Sequence, residues 1–343
     1  MLKQAYLYKS LPDKKVQCQT CAHYCQISPG GRGLCAARKN IDGQLYVLNY
    51  GQAAVINVDP IEKKPLFHFL PGSDTLSLGA VGCNFHCLNC QNWDISQEYK
   101  IAMKADQEIL GEYSDPEQIV NSALKSKIKS ISYTYSEPTI FLEYALDIMK
   151  RAKKKGIKNV FVSNGFLSQE AIKLVAPYLD AANIDLKGFS EDFYKKFCGG
   201  ELQPVLNTLK AIKKAGIWLE IATLVIPTMS DSVKMLKDIA NFIKKELGSE
   251  TPWHLSKFSS LHSWQLHHLP DTSLEALKMA YEIGKSAGLK YVYTGNMPGL
   301  PSEDTFCPKC KALVIDRTGY MVFRHDKNGL CSKCGQDINL ILK

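Results

Sequence analysis

The middle of this chain alternates two patterns. Short runs rich in apolar and β-branched residues fall at 76–80, 130–135, 159–162, 182–186, 219–226, 253–258 and 291–294. Between them lie longer stretches with apolar positions three and four residues apart, at 140–153, 168–178, 205–215, 235–247 and 274–287. The first pattern predicts buried strands and the second predicts helices with one face on a core. Gly156, Gly216, Gly248 and Gly288 follow four of these helices, where a left-handed residue would stop them. Alternation sustained over about 220 residues predicts parallel βαβ units and an α/β fold. Polar tips close several of the strands: Ser136–Glu137, Ser163–Asn164, Asp185–Lys187 and Gly295–Asn296. Such tips favour a partial or complete TIM-like β/α barrel, whose sites gather at the C-terminal ends of the strands. His254, near the start of its strand, fits this pattern less neatly.

The two ends read differently. The first 74 residues carry a Gly- and Cys-rich stretch, short β-like runs at 45–48 and 53–58, and a loop at 59–65. The last forty or so are again Cys-rich, with a hairpin pattern around Arg317–Thr318–Gly319. Three parts are expected: an N-terminal four-cysteine module (1–74), the β/α body (75–300) and a C-terminal zinc-ribbon-like module (301–343).

Charge changes this picture little. The net charge of +8 comes partly from runs such as Lys153–Lys154–Lys155 and Lys213–Lys214, which read as solvated helix faces rather than a nucleic-acid surface. No apolar run reaches the ~18–20 residues of a membrane span, and the N-terminus lacks a signal-peptide core, so a cytoplasmic protein is expected. In a reducing compartment clustered cysteines indicate metal ligation or catalysis, not disulfides.

Eleven of the twelve cysteines fall into three groups. Cys83, Cys87 and Cys90 form a C-x3-C-x2-C loop directly after the first strand of the body. Three thiolates hold three irons of a [4Fe–4S] cubane and leave the fourth iron for an outside ligand. In radical S-adenosylmethionine (SAM) chemistry that ligand is the amino and carboxylate groups of SAM. The competing reading is a zinc site completed by His86 or Cys198. Cys307, Cys310, Cys331 and Cys334 form two C-x2-C pairs on either side of the hairpin, the pattern of a structural zinc ribbon. Cys18, Cys21, Cys25 and Cys35 suit zinc or an auxiliary [4Fe–4S] cluster; spacing does not separate the two, and zinc is the expectation. Cys198 stands alone and reads as a packed thiol.

On these residues the chain resembles the radical SAM superfamily and, within it, activases of the pyruvate formate-lyase type. A closer resemblance is to the AmmeMemoRadiSam system radical SAM enzyme. It is carried by the stretches 59–68 (DPIEKKPLFH) and 82–96 (GCNFHCLNCQNWDIS), then Tyr133-Thr-Tyr-Ser-Glu-Pro-Thr139 and Ser163-Asn-Gly-Phe166. Asn183-Ile-Asp-Leu-Lys187, Trp253-His-Leu-Ser-Lys-Phe258 and Tyr293-Thr-Gly-Asn-Met-Pro-Gly299 complete it. The resemblance implies that Glu137, with Ser136 before it, receives the SAM amino group. It implies that Ser163, Asn164, Asp185 and Lys187 meet the SAM carboxylate and ribose, and that His254 lies near the ribose. Ser136 stands where the superfamily has glycine, Val162 where activases carry a cation-binding Asp, and Asn89 where an aromatic residue is usual. Independently of resemblance, a ligand with an ammonium and a carboxylate needs a carboxylate and a cation to meet them, and Glu137 and Lys187 are suitable.

The first functional expectation is a radical SAM enzyme that abstracts hydrogen from a protein or peptide. The resemblance implies an electron donor such as flavodoxin or ferredoxin, and Memo-type and AMMECR-type partner proteins. The second is radical SAM modification of a small molecule or nucleic acid. The third is a non-catalytic zinc scaffold, which an intact central Cys triad argues against.

Overall fold

The computed structural model describes residues 2–102, 109–296 and 301–343. Its centre is an eight-stranded sheet in chain order: Val55–Pro60 (β1), Asp74–Gly79 (β2), Ser130–Tyr133 (β3), Lys158–Ser163 (β4), Ala181–Asp185 (β5), Trp218–Val225 (β6), Trp253–Lys257 (β7) and Val292–Gly295 (β8). β1 runs antiparallel to β2, and every later pair is parallel. All seven strands expected in the body form, shifted by at most two residues. Their near-continuous burial is what a parallel sheet covered on both faces requires. Among the described residues β1 and β8 do not pair, so the barrel is the partial, open form.

Helices Pro116–Lys125 (α1), Leu142–Lys154 (α2), Gln169–Val175 (α3), Leu202–Lys214 (α4), Val233–Phe242 (α5) and Leu274–Ala287 (α6) connect the parallel strands. The predicted helix at 168–178 stops early because Pro177 has no N–H to donate to the preceding turn. That at 235–247 widens into a π-turn, Ile243–Leu247, before Gly248. Gly288 closes α6 at φ 92°, its N–H shared between the Gly284 and Lys285 carbonyls. Sequence pattern did not single out α1. Its start is explicit all the same: Asp115 and Gln118 form a reciprocal capping box ahead of Pro116.

The segment 53–58, read from sequence as part of the N-terminal module, lies mostly in β1 and so forms the edge of the main sheet. Two small antiparallel sheets precede it, built from Lys3–Gln4, Arg38–Ile41 and Gln44–Val47, and from Tyr8–Ser10, Val16–Cys18 and Gln26–Ile27. They are tied to the body by Arg38, whose guanidinium meets the Glu143 carboxylate of α2 through two bonds of 2.9 and 2.7 Å. Both side chains are buried.

The C-terminal hairpin, Leu313–Thr318 with Met321–Arg324, packs on the body through Arg317. That side chain donates to the Phe67 carbonyl at 2.8 Å and stacks on the Phe67 ring, 4.2 Å from its centroid. No described helix is long and apolar enough to cross a membrane.

Candidate active site

A cavity of about 770 Å³ opens at the C-terminal ends of the parallel strands. Its wall includes Ser136 and Glu137 after β3, Ser163 and Asn164 at the end of β4, and Asp185 and Lys187 at the end of β5. Cys83, Cys87 and Cys90 line the same cavity from the loop after β2. Ten or more residues of sequence separate each of these groups from the next; parallel pairing brings them together because it places every strand's C-terminal end on one rim.

Local backbone requirements shape the cysteine loop. Gly82 has φ 102°, and a Cβ there would stand 2.8 Å from the Cys35 carbonyl oxygen. Further on, the loop is clamped by residues 197–200: His86 N donates to Cys198 O at 2.8 Å and Leu88 N to Phe197 O at 3.2 Å. The contact depends on two glycines. A Cβ on Gly199 would lie 2.1 Å from the His86 ring, and one on Gly200 2.3 Å from the Phe85 ring. Cys198 is itself fully buried beside Cys87, as a packed thiol should be. Its thiol, and then burial, push the Cys87 thiol well above its ordinary range. Burial does the same to Cys83. Thiols so placed ionise readily only when a metal takes the thiolate.

Glu137 is almost fully buried. Its Oε1 accepts from Thr139 N at 3.1 Å, Thr139 Oγ1 at 2.5 Å and Ser163 Oγ at 2.8 Å, and its Oε2 accepts from Asn164 N at 2.8 Å. Burial raises its carboxyl above the usual range, with these donors pulling the other way. Ser136 donates its hydroxyl to the Ala80 carbonyl, joining the end of β3 to the entry of the cysteine loop. Lys187 Nζ meets Asp185 Oδ2 at 2.8 Å. Burial disfavours the ammonium, but Asp185 and the nearby thiols outweigh it and hold the Lys187 pKa above its usual value.

His254 is not in this group. It lies on β7 two and three residues before Ser256 and Lys257, which do line the cavity. Its Nε2 is 2.7 Å from Glu220 Oε2, and its ring stacks on Tyr293 in the buried interior. Glu220 also accepts from the backbone N–H groups of Phe67 and His68 and from Trp218 Nε1. Here His254 is part of a buried polar knot rather than a wall of the cavity. Its register partner Ala222 lines the cavity, so what keeps the imidazole out of the wall is its engagement by Glu220, Tyr293 and Phe67.

Four residues at the rim had no expected role: Lys63, Lys64, Tyr135 and Tyr320. Lys64 Nζ binds Asp59 at 2.7 Å and sits 4.5 Å over the Tyr135 ring, with Tyr135 at φ 68°. Lys63 and Lys64 belong to the 59–68 stretch and so were in view; Tyr320 comes from the expected C-terminal hairpin, but no local pattern signals its place at the rim. Val162 and Asn89, which with Ser136 depart from the superfamily pattern, also line the cavity. Of the motif at 293–299, residues 297–299 lie outside the described residues.

The terminal groups differ in geometry. Cys307, Cys310, Cys331 and Cys334 have sulfurs that all lie within 4.8 Å of one another, with Cys307–Cys334 and Cys310–Cys331 each at 3.6 Å. Among the described residues no other group of three or more metal-binding side chains converges so closely. The central triad therefore does not join His86 or Cys198 in a zinc-like tetrahedron. All three cysteines line the one cavity, and three thiolates are the number that leaves one iron of a cubane without a protein ligand. Cys18, Cys21, Cys25 and Cys35 surround a separate small cavity, together with His23, Arg38, Asn84 and Thr139.

The model of the Radical SAM superfamily matches residues 78–243, from β2 to the end of α5. An uncharacterized protein of Methanocaldococcus jannaschii is 42% identical over 344 residues, which is 99% of this chain and 100% of that protein. A pyruvate formate-lyase-activating enzyme of Clostridium pasteurianum is 23% identical over 194 residues, 53% of this chain and 77% of its own. Among solved structures, a radical SAM methyltransferase from Sphaerobacter thermophilus covers 66% of this chain and 67% of its own at 12% identity and a TM-score of 0.49. The chain belongs to the Radical SAM superfamily, whose members are enzymes that use a [4Fe–4S] cluster and SAM.

Proposed function

We propose that this chain is an activase-like radical SAM enzyme that abstracts a hydrogen atom from a protein or peptide substrate. The observation that carries the reading is the shared cavity: the three thiols of Cys83, Cys87 and Cys90 face the same space as Glu137, Asn164 and Lys187. The thiols suit a [4Fe–4S] cluster. Glu137 presents a carboxylate for the SAM ammonium, and Lys187 a cation for the SAM carboxylate. When bound, the cluster supplies the electron that cleaves a C–S bond of SAM, giving a 5′-deoxyadenosyl radical and methionine. The chain's own contribution is positional. Thr139, Ser163 and Asn164 fix the Glu137 carboxylate, and Asp185 fixes the Lys187 ammonium.

The protein or peptide substrate is supported by the activase relative and by a cavity large enough to leave room beside SAM. Membership of the AmmeMemoRadiSam system, with Memo-type and AMMECR-type partners and a flavodoxin or ferredoxin donor, is part of the same proposal. At the C-terminus we assign zinc. Tetrahedral Zn–S bonds of ~2.3 Å put sulfurs ~3.7 Å apart, and the observed pairs stand at 3.6 Å.

The test is Cys87→Ala in anaerobically reconstituted protein, with SAM and dithionite. Deoxyadenosine should fall to background while the C-terminal zinc remains. Deoxyadenosine formation at the wild-type rate would sink the proposal.

A further inference from the structure

The N-terminal cysteines are placed unlike the C-terminal ones, although both groups have four thiols. Zinc draws four sulfurs to ~2.3 Å from its centre, so they touch and leave no hole between them. The C-terminal group is arranged in this way. Cys18, Cys21, Cys25 and Cys35 are not. They stand around a water-sized cavity of about 10 Å³, and no three of their sulfurs converge within 4.8 Å. A cubane core keeps its ligands apart: with Fe–S bonds of ~2.3 Å outward from a tetrahedron of irons, its four thiolate sulfurs lie ~6.4 Å from one another.

A second observation is a polar atom. Asn84 lines this cavity, and its buried side-chain nitrogen Nδ2 has no hydrogen-bond partner. Its other groups are engaged: Oδ1 accepts from Asn164 Nδ2 at 2.7 Å, and the backbone carbonyl meets His23 Nε2 at 2.8 Å. An orphaned buried N–H is costly unless something occupies the space beside it. Metal-bound thiolates and cluster sulfides are acceptors for such a donor, so the amide points to a metal centre in this cavity, and the sulfur spacing selects the cluster.

We propose that Cys18, Cys21, Cys25 and Cys35 hold a second [4Fe–4S] cluster, fully ligated by protein, against the loop of the first. This replaces the zinc expected there from sequence. The two cysteine groups share a wall. Gly82 packs on the Cys35 carbonyl, Asn84 lines the N-terminal cavity, and Cys83 stands between them. One electron received at this cluster from a low-potential one-electron protein donor would leave it again across that wall, restoring its oxidised state.

The proposal rests on residues separate from the SAM-cleaving site, so the two readings fail separately. The full chain is reconstituted anaerobically, and iron, zinc and Mössbauer spectra are measured on the wild type, on Cys83/Cys87/Cys90→Ala and on Cys18/Cys21→Ser. The wild type should hold about eight irons and one zinc. The triad variant should keep about four irons, with a reduced EPR signal that SAM does not perturb. The Cys18/Cys21→Ser variant should lose about four irons and keep the SAM-sensitive signal. About four irons and two zincs in the wild type, with all iron lost in the triad variant, would overturn it. If the variants fail to fold, the wild-type stoichiometry alone decides. Iron lost only from the Cys18/Cys21→Ser variant would keep this proposal and defeat the SAM-cleaving one.

Discussion

Asn164 Nδ2 donates to Asn84 Oδ1 at 2.7 Å, joining the end of β4 to the loop that carries Cys83. The same Asn164 gives its backbone N–H to Glu137 and takes that of Phe166 on its Oδ1 at 3.0 Å. One amide side chain thus registers the cysteine loop against the carboxylate proposed to receive SAM. Asn164→Ala would remove both side-chain bonds, at ~1 kcal/mol or more each. SAM affinity should fall about tenfold or more, read by calorimetric titration of the reconstituted protein. Unchanged affinity would show that the amide does not position the site.

The Arg38–Glu143 pair fixes the N-terminal module to α2. Removing one partner of a buried pair leaves a charge without compensation, a loss of about 3–5 kcal/mol. Arg38→Ala should therefore lower the urea midpoint sharply. Arg38→Met with Glu143→Leu should recover most of it, because no buried charge remains.

Glu220 supplies a pH dependence. Burial alone would raise its carboxyl, but His254, His68 and Trp218 outweigh it and bring the pKa down to about 2. An acid with a depressed folded pKa adds stability that is present above its unfolded value and lost as pH falls towards the folded one. The window is about pH 4.3 to 2 and the size about 3 kcal/mol. Urea unfolding across that window should show the wild type losing this stability. Glu220→Gln, less stable at pH 7, should show a correspondingly shallower fall.

Gly200→Ala tests the clamp on the cysteine loop. The added methyl carbon would lie 2.3 Å from the Phe85 ring, so the loop must shift. Iron at the central site should drop and the SAM-perturbed EPR signal weaken, with C-terminal zinc unchanged. A full signal would mean that Phe85 yields without moving the cysteines.

Most strands and helices were legible because burial on both faces of a parallel sheet leaves continuous apolar runs, and covering helices leave a 3.6-residue period. The Cys83–Cys90 loop was legible because its ligands are local in sequence. The setting of His254 was not legible, for the opposite reason. β7 aligns His254 with Ala222, which does line the cavity, but the imidazole is taken up by Glu220 of β6 and the Tyr293 ring of β8, partners distant in sequence.

By itself the sequence determined the α/β class, the three cysteine groups and the residue types needed to hold a cluster and SAM. These follow from short-range pattern and spacing. Tertiary structure alone decided that the 53–58 segment edges the main sheet, that Glu220 engages His254, and that the two four-cysteine groups differ in sulfur separation. Spacing along a chain bounds how near two thiols can come. How far apart they stay is set by the packing around them.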